Sequence, residues 1–133
     1  MGADVDKLFL EIAGRPIVAH TWARFEAAPE ITDLVLVVRD GMQEEFHKLA
    51  ATCGFQKPFR LTAGGKERQD SVMNGLQKLE KDASVVLVHD GVRPFVTHEM
   101  IKESIDLARK GECVTVGVPL KDTIKEVDDK CII

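Results

Sequence analysis

The sequence predicts an α/β fold: a Rossmann-like, mostly parallel sheet with helices on both faces. Two observations carry that reading. Residues 31–38 (ITDLVLVV), 85–89 (VVLVH) and 113–118 (CVTVGV) are apolar, β-branched runs of the kind shown by strands buried on both faces. Around them lie segments with apolar residues at helical spacing, so strands and helices alternate, as a parallel sheet covered by helices requires. In such sheets ligands bind at the carboxyl ends of the strands. The residues that follow each strand are therefore the first candidates for function.

Each element has its own justification. The first helix follows Pro16, a residue suited to a first turn because its missing N–H would be unpaired there anyway. Val18, Trp22 and Phe25 then share one face. A second helix carries Met42, Phe46, Leu49 and Cys53 on one stripe, and Gly54 can end it in the left-handed conformation. Residues 59–63 (FRLTA) form a weaker strand. A third helix begins near Arg68 with Val72, Leu76 and Leu79 inward. The fourth starts at Thr97, a plausible N-cap by residue type, buries Ile101, Ile105 and Ala108, and stops at Gly111. Residues 120–127 (LKDTIKEV) alternate in polarity and read as extended.

Composition narrows the classes. With 133 residues, 44% of them hydrophobic, the chain fits one domain with a real core. The net charge of -4 argues against a general nucleic-acid binder, which carries a basic surplus, but leaves room for a local basic pocket. No apolar run approaches the ~20 residues of a bilayer span, and no basic region followed by an apolar stretch opens the chain. Cys53, Cys113 and Cys131 are odd in number and widely spaced, a pattern of thiols in a reducing compartment rather than of disulfides or a zinc site.

Three polar clusters follow strands. After 59–63 comes Gly64-Gly65-Lys66-Glu67-Arg68-Gln69-Asp70-Ser71. Its glycines let backbone approach a ligand closely, and the helix start behind them offers free N–H groups and a positive dipole end for phosphate or base edges. Lys66 and Arg68 add charge. Spacing alone equally allows an ordinary glycine turn with a solvated helix start. After 85–89 comes His89-Asp90-Gly91-Val92-Arg93. Asp90 can hold Mg²⁺, a hard cation that takes carboxylate and phosphate oxygens, and Arg93 can fork onto phosphate. An Asp-Gly turn closed by an Arg ion pair is the plainer alternative. His89 reads as support for the turn. After 113–118, Lys121, Thr123 and Lys125 offer two cations and a hydroxyl to a phosphate monoester, or else decorate an exposed edge strand. Three such clusters make one shared site a better account than three coincidences.

With AGRPIVAHTWARF at 13–25, the segments GGKERQDSVMNGL (64–76), VHDGVRPFV (88–96) and VPLKDTIKEV (118–127) closely resemble the 2-C-methyl-D-erythritol 4-phosphate cytidylyltransferase family. Four motifs in order make this far more specific than a lone glycine motif. The resemblance implies a nucleotide-diphospho-sugar transferase-like fold and transfer of CMP from CTP to methylerythritol phosphate, with release of pyrophosphate, in non-mevalonate isoprenoid precursor synthesis. It also implies Mg²⁺ dependence, a homodimer, and a cytoplasmic or plastid-stroma setting. Residue by residue, it places Gly64, Gly65, Lys66, Arg68, Ser71 and Gly91 at the nucleotide, with Ser71 at the base. It places Asp90 at the metal, and Arg93, Lys121 and Thr123 at the second substrate. Lys7 matches a lysine that stabilises the reacting triphosphate. No nucleic acid and no membrane enter this reading.

The sequence also departs from the family pattern. Met1-Gly2-Ala3-Asp4 resembles the tail of the family's glycine-rich loop, and the strand before that loop is not present. Asp6-Lys7-Leu8 stands where the family has Pro-Lys-Gln, and Cys131-Ile132-Ile133 resembles the start of another strand. The expectation is one nucleotidyltransferase domain, 1–133, incomplete at both ends and of little activity alone. The alternatives are a ribitol phosphate cytidylyltransferase, which the family resemblance of 69–71 and 121–125 disfavours, and a non-catalytic nucleotide-binding remnant.

Overall fold

A computed structural model describes residues 7–119 and 121. A single 3-10 turn, Lys7–Phe9, opens it. A small antiparallel hairpin follows, formed by β1 (Glu11–Ile12) and β2 (Arg15–Pro16). Helix α1 (Ile17–Ala27) starts directly behind Pro16, which ends the strand instead of opening the helix's first turn. Then come β3 (Leu34–Val38), α2 (Gln43–Cys53), β4 (Phe59–Ala63), α3 (Arg68–Leu76) and α4 (His98–Ala108).

The helix ends obey local chemistry. Gly54 closes α2 at φ 69°, a left-handed conformation that costs a residue with a Cβ. Thr97 caps α4, its hydroxyl accepting from the N–H of Met100 at 3.3 Å. Lys57 satisfies carbonyls at the end of α1, donating to the Phe25 oxygen at 3.0 Å and also to that of Ala28.

Strands β3 and β4 pair in parallel, Leu34 opposite Phe59 through Val38 opposite Ala63. Side chains alternate across this pair, and helices cover both faces. On one face Val18, Ala19 and Trp22 of α1 join Val38 and Phe46, Leu49 and Ala50 of α2, with Leu34 and Leu36 packed against them. On the other, α3 lies so close that a Cβ on Gly75 would stand 3.0 Å from Cγ2 of Val37. The second flank of α1, Phe25 and Ala28, meets Ile101 and Ile105 of α4. Trp22 stacks on Phe55 at 4.7 Å and meets Phe59 edge-on at 5.0 Å.

Two predicted strands are corrected. Among the described residues, neither 85–89 nor 113–118 joins a ladder. In the first, Val85 and Leu87 pack on the α1–α4 core while Val86 and Val88 are exposed, so the period of a strand persists without its hydrogen bonds. Residues 113–118 are exposed throughout. Residue type sets the alternation, but a ladder also needs a neighbouring backbone in register. Leu76 is likewise exposed, not inward; Gly75 takes the buried position of α3. The extended segment expected at 120–127 lies outside the described residues, apart from Lys121.

Candidate functional site

The chain leaves β4 at Ala63 and turns sharply. The N–H of Gly64 donates to the Val38 carbonyl at 2.8 Å, which ties this turn to the carboxyl end of the neighbouring strand. Gly65 is sterically required: a Cβ there would fall 2.3 Å from Cβ of Asp70. Its N–H donates to Oγ of Ser71 at 2.9 Å, and that hydroxyl donates to the Glu67 carbonyl at 3.2 Å. Asp70 accepts from the N–H of Glu67 at 3.0 Å, closing the first turn of α3. The loop is thus pinned by its own side chains; its two glycines are exposed, with both of their N–H groups already donated within the protein.

The second cluster meets the first. Arg68, the first residue of α3, donates from Nη2 to Oδ1 of Asp90 at 2.8 Å. Nε of Arg93 lies 3.0 Å from Oδ2 of the same carboxylate. The N–H of Arg93 also donates to the Asp90 carbonyl at 3.2 Å, so this turn is the plain Asp-Gly turn that spacing allowed, with its ion pair. Two guanidiniums on one carboxylate leave a net positive centre, suited to phosphate.

Gly91 packs under the N-terminal turn: a Cβ on it would stand 3.0 Å from Cδ2 of Leu8. Lys7, the neighbour of Leu8, is exposed. Nothing in the sequence marks Leu8 for packing on Gly91, because any apolar residue of its reach could fill the space. His89 lies edge-on against Phe25 at 4.9 Å between ring centroids. Desolvation there holds its pKa below 6.5, with Asp90 opposing the shift and Arg93 adding to it. A neutral imidazole at this turn fits a supporting role.

Gly64, Gly65, Arg68, Ser71, Asp90, Gly91 and Arg93 therefore occupy one region, at the carboxyl ends of β3 and β4. Lys66 and Lys121 are exposed, and neither joins the Asp90 cluster. Thr123 lies outside the described residues. Among the described residues no group of three or more His, Cys, Asp or Glu side chains could form a metal cage. Both oxygens of Asp90 are ion-paired to arginines, so a Mg²⁺ here would take most of its ligands from substrate phosphates and water. A cleft of about 300 Å³ opens beside the turn, lined by Ile12, His20, Arg24, Pro94 and Phe95. Asp90, Arg68 and Arg93 do not line it. No helix among the described residues is long and apolar enough to cross a membrane.

A model of the family described as 2-C-methyl-D-erythritol 4-phosphate cytidylyltransferase matches residues 1–133. A protein of that name from Alkaliphilus metalliredigens is 44% identical over 131 residues, covering 98% of this chain and 54% of its own length. One from Halalkalibacterium halodurans is 41% identical over all of this chain and 58% of its own. The crystal structure of 4-diphosphocytidyl-2C-methyl-D-erythritol synthase from Anaerococcus prevotii superimposes with a TM-score of 0.85 at 30% identity, covering 92% of this chain and 53% of that one. The chain spans about half the length of the relatives it matches.

Proposed function

The chain belongs to the 2-C-methyl-D-erythritol 4-phosphate cytidylyltransferase family, and from that premise we propose that it supplies the nucleotide-reading part of an enzyme that moves CMP from CTP to 2-C-methyl-D-erythritol 4-phosphate. The observation that carries this reading is the meeting of Arg68 and Arg93 on Asp90 beside the pinned Gly64–Ser71 loop.

The reaction is an in-line displacement. A phosphate oxygen of the acceptor attacks the α-phosphorus of CTP, the bond to the bridging oxygen breaks, and pyrophosphate leaves with its electron pair. Such a step asks the protein for alignment and charge neutralisation. The exposed backbone of Gly64 and Gly65 and the start of α3 would lie along the nucleotide, with Ser71 and Gly91 close to it. Arg68, Lys66 and Lys7 would neutralise the triphosphate. Arg93, Lys121 and Thr123 would hold the acceptor's phosphate. Asp90 would hold Mg²⁺, which supplies further neutralisation of phosphate charge when bound. A phosphate monoester is already anionic near neutral pH, so the neutral His89 need not act as a base.

Residues 1–133 would belong to one nucleotidyltransferase domain, in a homodimer in the cytoplasm or plastid stroma. The names of the relatives favour methylerythritol phosphate over ribitol phosphate as acceptor. The test is pyrophosphate release from CTP by the purified protein with each acceptor, beside calorimetric binding of CTP and UTP in Mg²⁺. Release with methylerythritol phosphate alone, or selective binding of CTP, is the expected result. A protein that neither turns over nor distinguishes CTP from UTP sinks the reading.

A further inference from the structure

The turn behind β4 is held at three points. The N–H of Gly64 donates to the Val38 carbonyl, and the N–H of Gly65 donates to Oγ of Ser71. The third hold is on the strand's last residue: Nδ2 of Asn74 donates to the Ala63 carbonyl at 3.1 Å. Two of the three come from α3, because Ser71 and Asn74 stand three residues apart and share one side of the helix. Asn74 is a costly choice for its place. It lies inside a nine-residue helix, directly before Gly75, and both residue types lower helix propensity. Gly75 is explained by packing, since a Cβ there would stand 3.0 Å from Cγ2 of Val37. Asn74 has another reason: half-buried, it spends its amide on the strand end. A better helix former such as alanine or leucine could not donate there.

We propose that Asn74 is a positioning residue for base selection: by tying α3 to the end of β4 it fixes the Gly64-Gly65 turn relative to Ser71, so that a pyrimidine ring meets both in one register. This rests on the reading of Gly64–Ser71 as the nucleotide-reading loop. Asn74 acts through the turn and not on the nucleotide. Phosphate charge is attracted over several ångströms, whereas a base edge is read by hydrogen bonds that weaken steeply with distance and angle. Loss of the tie therefore costs discrimination between bases more than it costs affinity for a triphosphate.

The test is calorimetric binding of CTP and of UTP to the purified wild type, Asn74→Ala, Asn74→Asp and Met73→Ala. Asn74→Asp keeps the shape and loses the donor. Asn74→Ala should fold, because its higher helix propensity offsets part of the lost bond. Met73, the exposed neighbour on the same helix, is the control. The ratio of CTP to UTP affinity is expected to fall roughly two- to tenfold in both Asn74 variants, the scale of one hydrogen bond, and to hold in Met73→Ala. An effect on folding alone lowers the active fraction and leaves that ratio unchanged. A ratio kept in either Asn74 variant, or lost equally in Met73→Ala, overturns the positioning role and leaves the functional reading standing. A wild type that does not distinguish CTP from UTP sinks the nucleotide-reading loop itself, and the role of Asn74 falls with it.

Discussion

The two ends of the β3–β4 pair each carry a hub of three charges, built in opposite senses. At the amino end Arg60, opposite Val35 in the ladder, is gripped by Asp33 and Glu80: one cation, two carboxylates. At the carboxyl end Asp90 is gripped by Arg68 and Arg93: one carboxylate, two cations. Exposure differs as well. The side chains of Arg60 and Asp33 are 34% and 22% exposed, whereas both arginines on Asp90 are largely in water. Asp33 also accepts from the N–H of Leu34 at 2.8 Å, so it fixes the entry to β3. The first hub closes on itself and holds the sheet's edge. The second keeps unspent positive charge on exposed side chains, which is what an incoming anion needs.

The sharpest way to break this contrast is Asp90→Asn. Turnover by the enzyme that contains this chain should fall by roughly 100-fold or more, the scale of losing one preorganised electrostatic partner, while the thermal midpoint barely moves. A large loss of stability instead would make the second hub structural too. Arg60→Met is the converse. It leaves the part-buried Asp33 without its cation, and urea unfolding should show a loss of about 1–3 kcal/mol. Activity per folded molecule should stay within about twofold, since an effect on folding alone acts through the population and not the chemistry.

The smallest effect is pH-dependent and belongs to the carboxyl end. Because the folded state holds the pKa of His89 below 6.5, the unfolded chain binds its proton first as pH falls. The stability this group contributes is complete above 6.5 and is lost as pH drops through the lower folded value. His89→Gln should flatten that part of the stability profile, measured by urea midpoints between neutral pH and the mildly acidic range. An unchanged slope would mean that contact with Phe25 does not favour the neutral ring.

Much of this molecule is written locally. All four helices start where the sequence puts them, because Gly54, Thr97 and the stripe of Phe46 and Leu49 act within a few residues of themselves, but α3 ends at Leu76 and leaves Leu79 outside. The glycines and ions of the site were also legible, because a pair of glycines behind a strand and an Asp-Gly turn are local chemistry. The hydrogen-bonded state of 85–89 and 113–118 was not, since a ladder depends on what lies alongside. Neither was the inward choice of Gly75 over Leu76, which the approach of α3 to Val37 decides.

The sequence by itself determined the alternation of elements, the polar clusters behind the strands and the family that they resemble. Only the tertiary structure decided that Arg68 and Arg93 share one carboxylate and that Leu8 fills the space over Gly91. The reason is one of range. Helical spacing, caps and turns are set by neighbours along the chain. A salt bridge between residues 68 and 90 exists only once the packing of α3 on the sheet has fixed where each backbone ends.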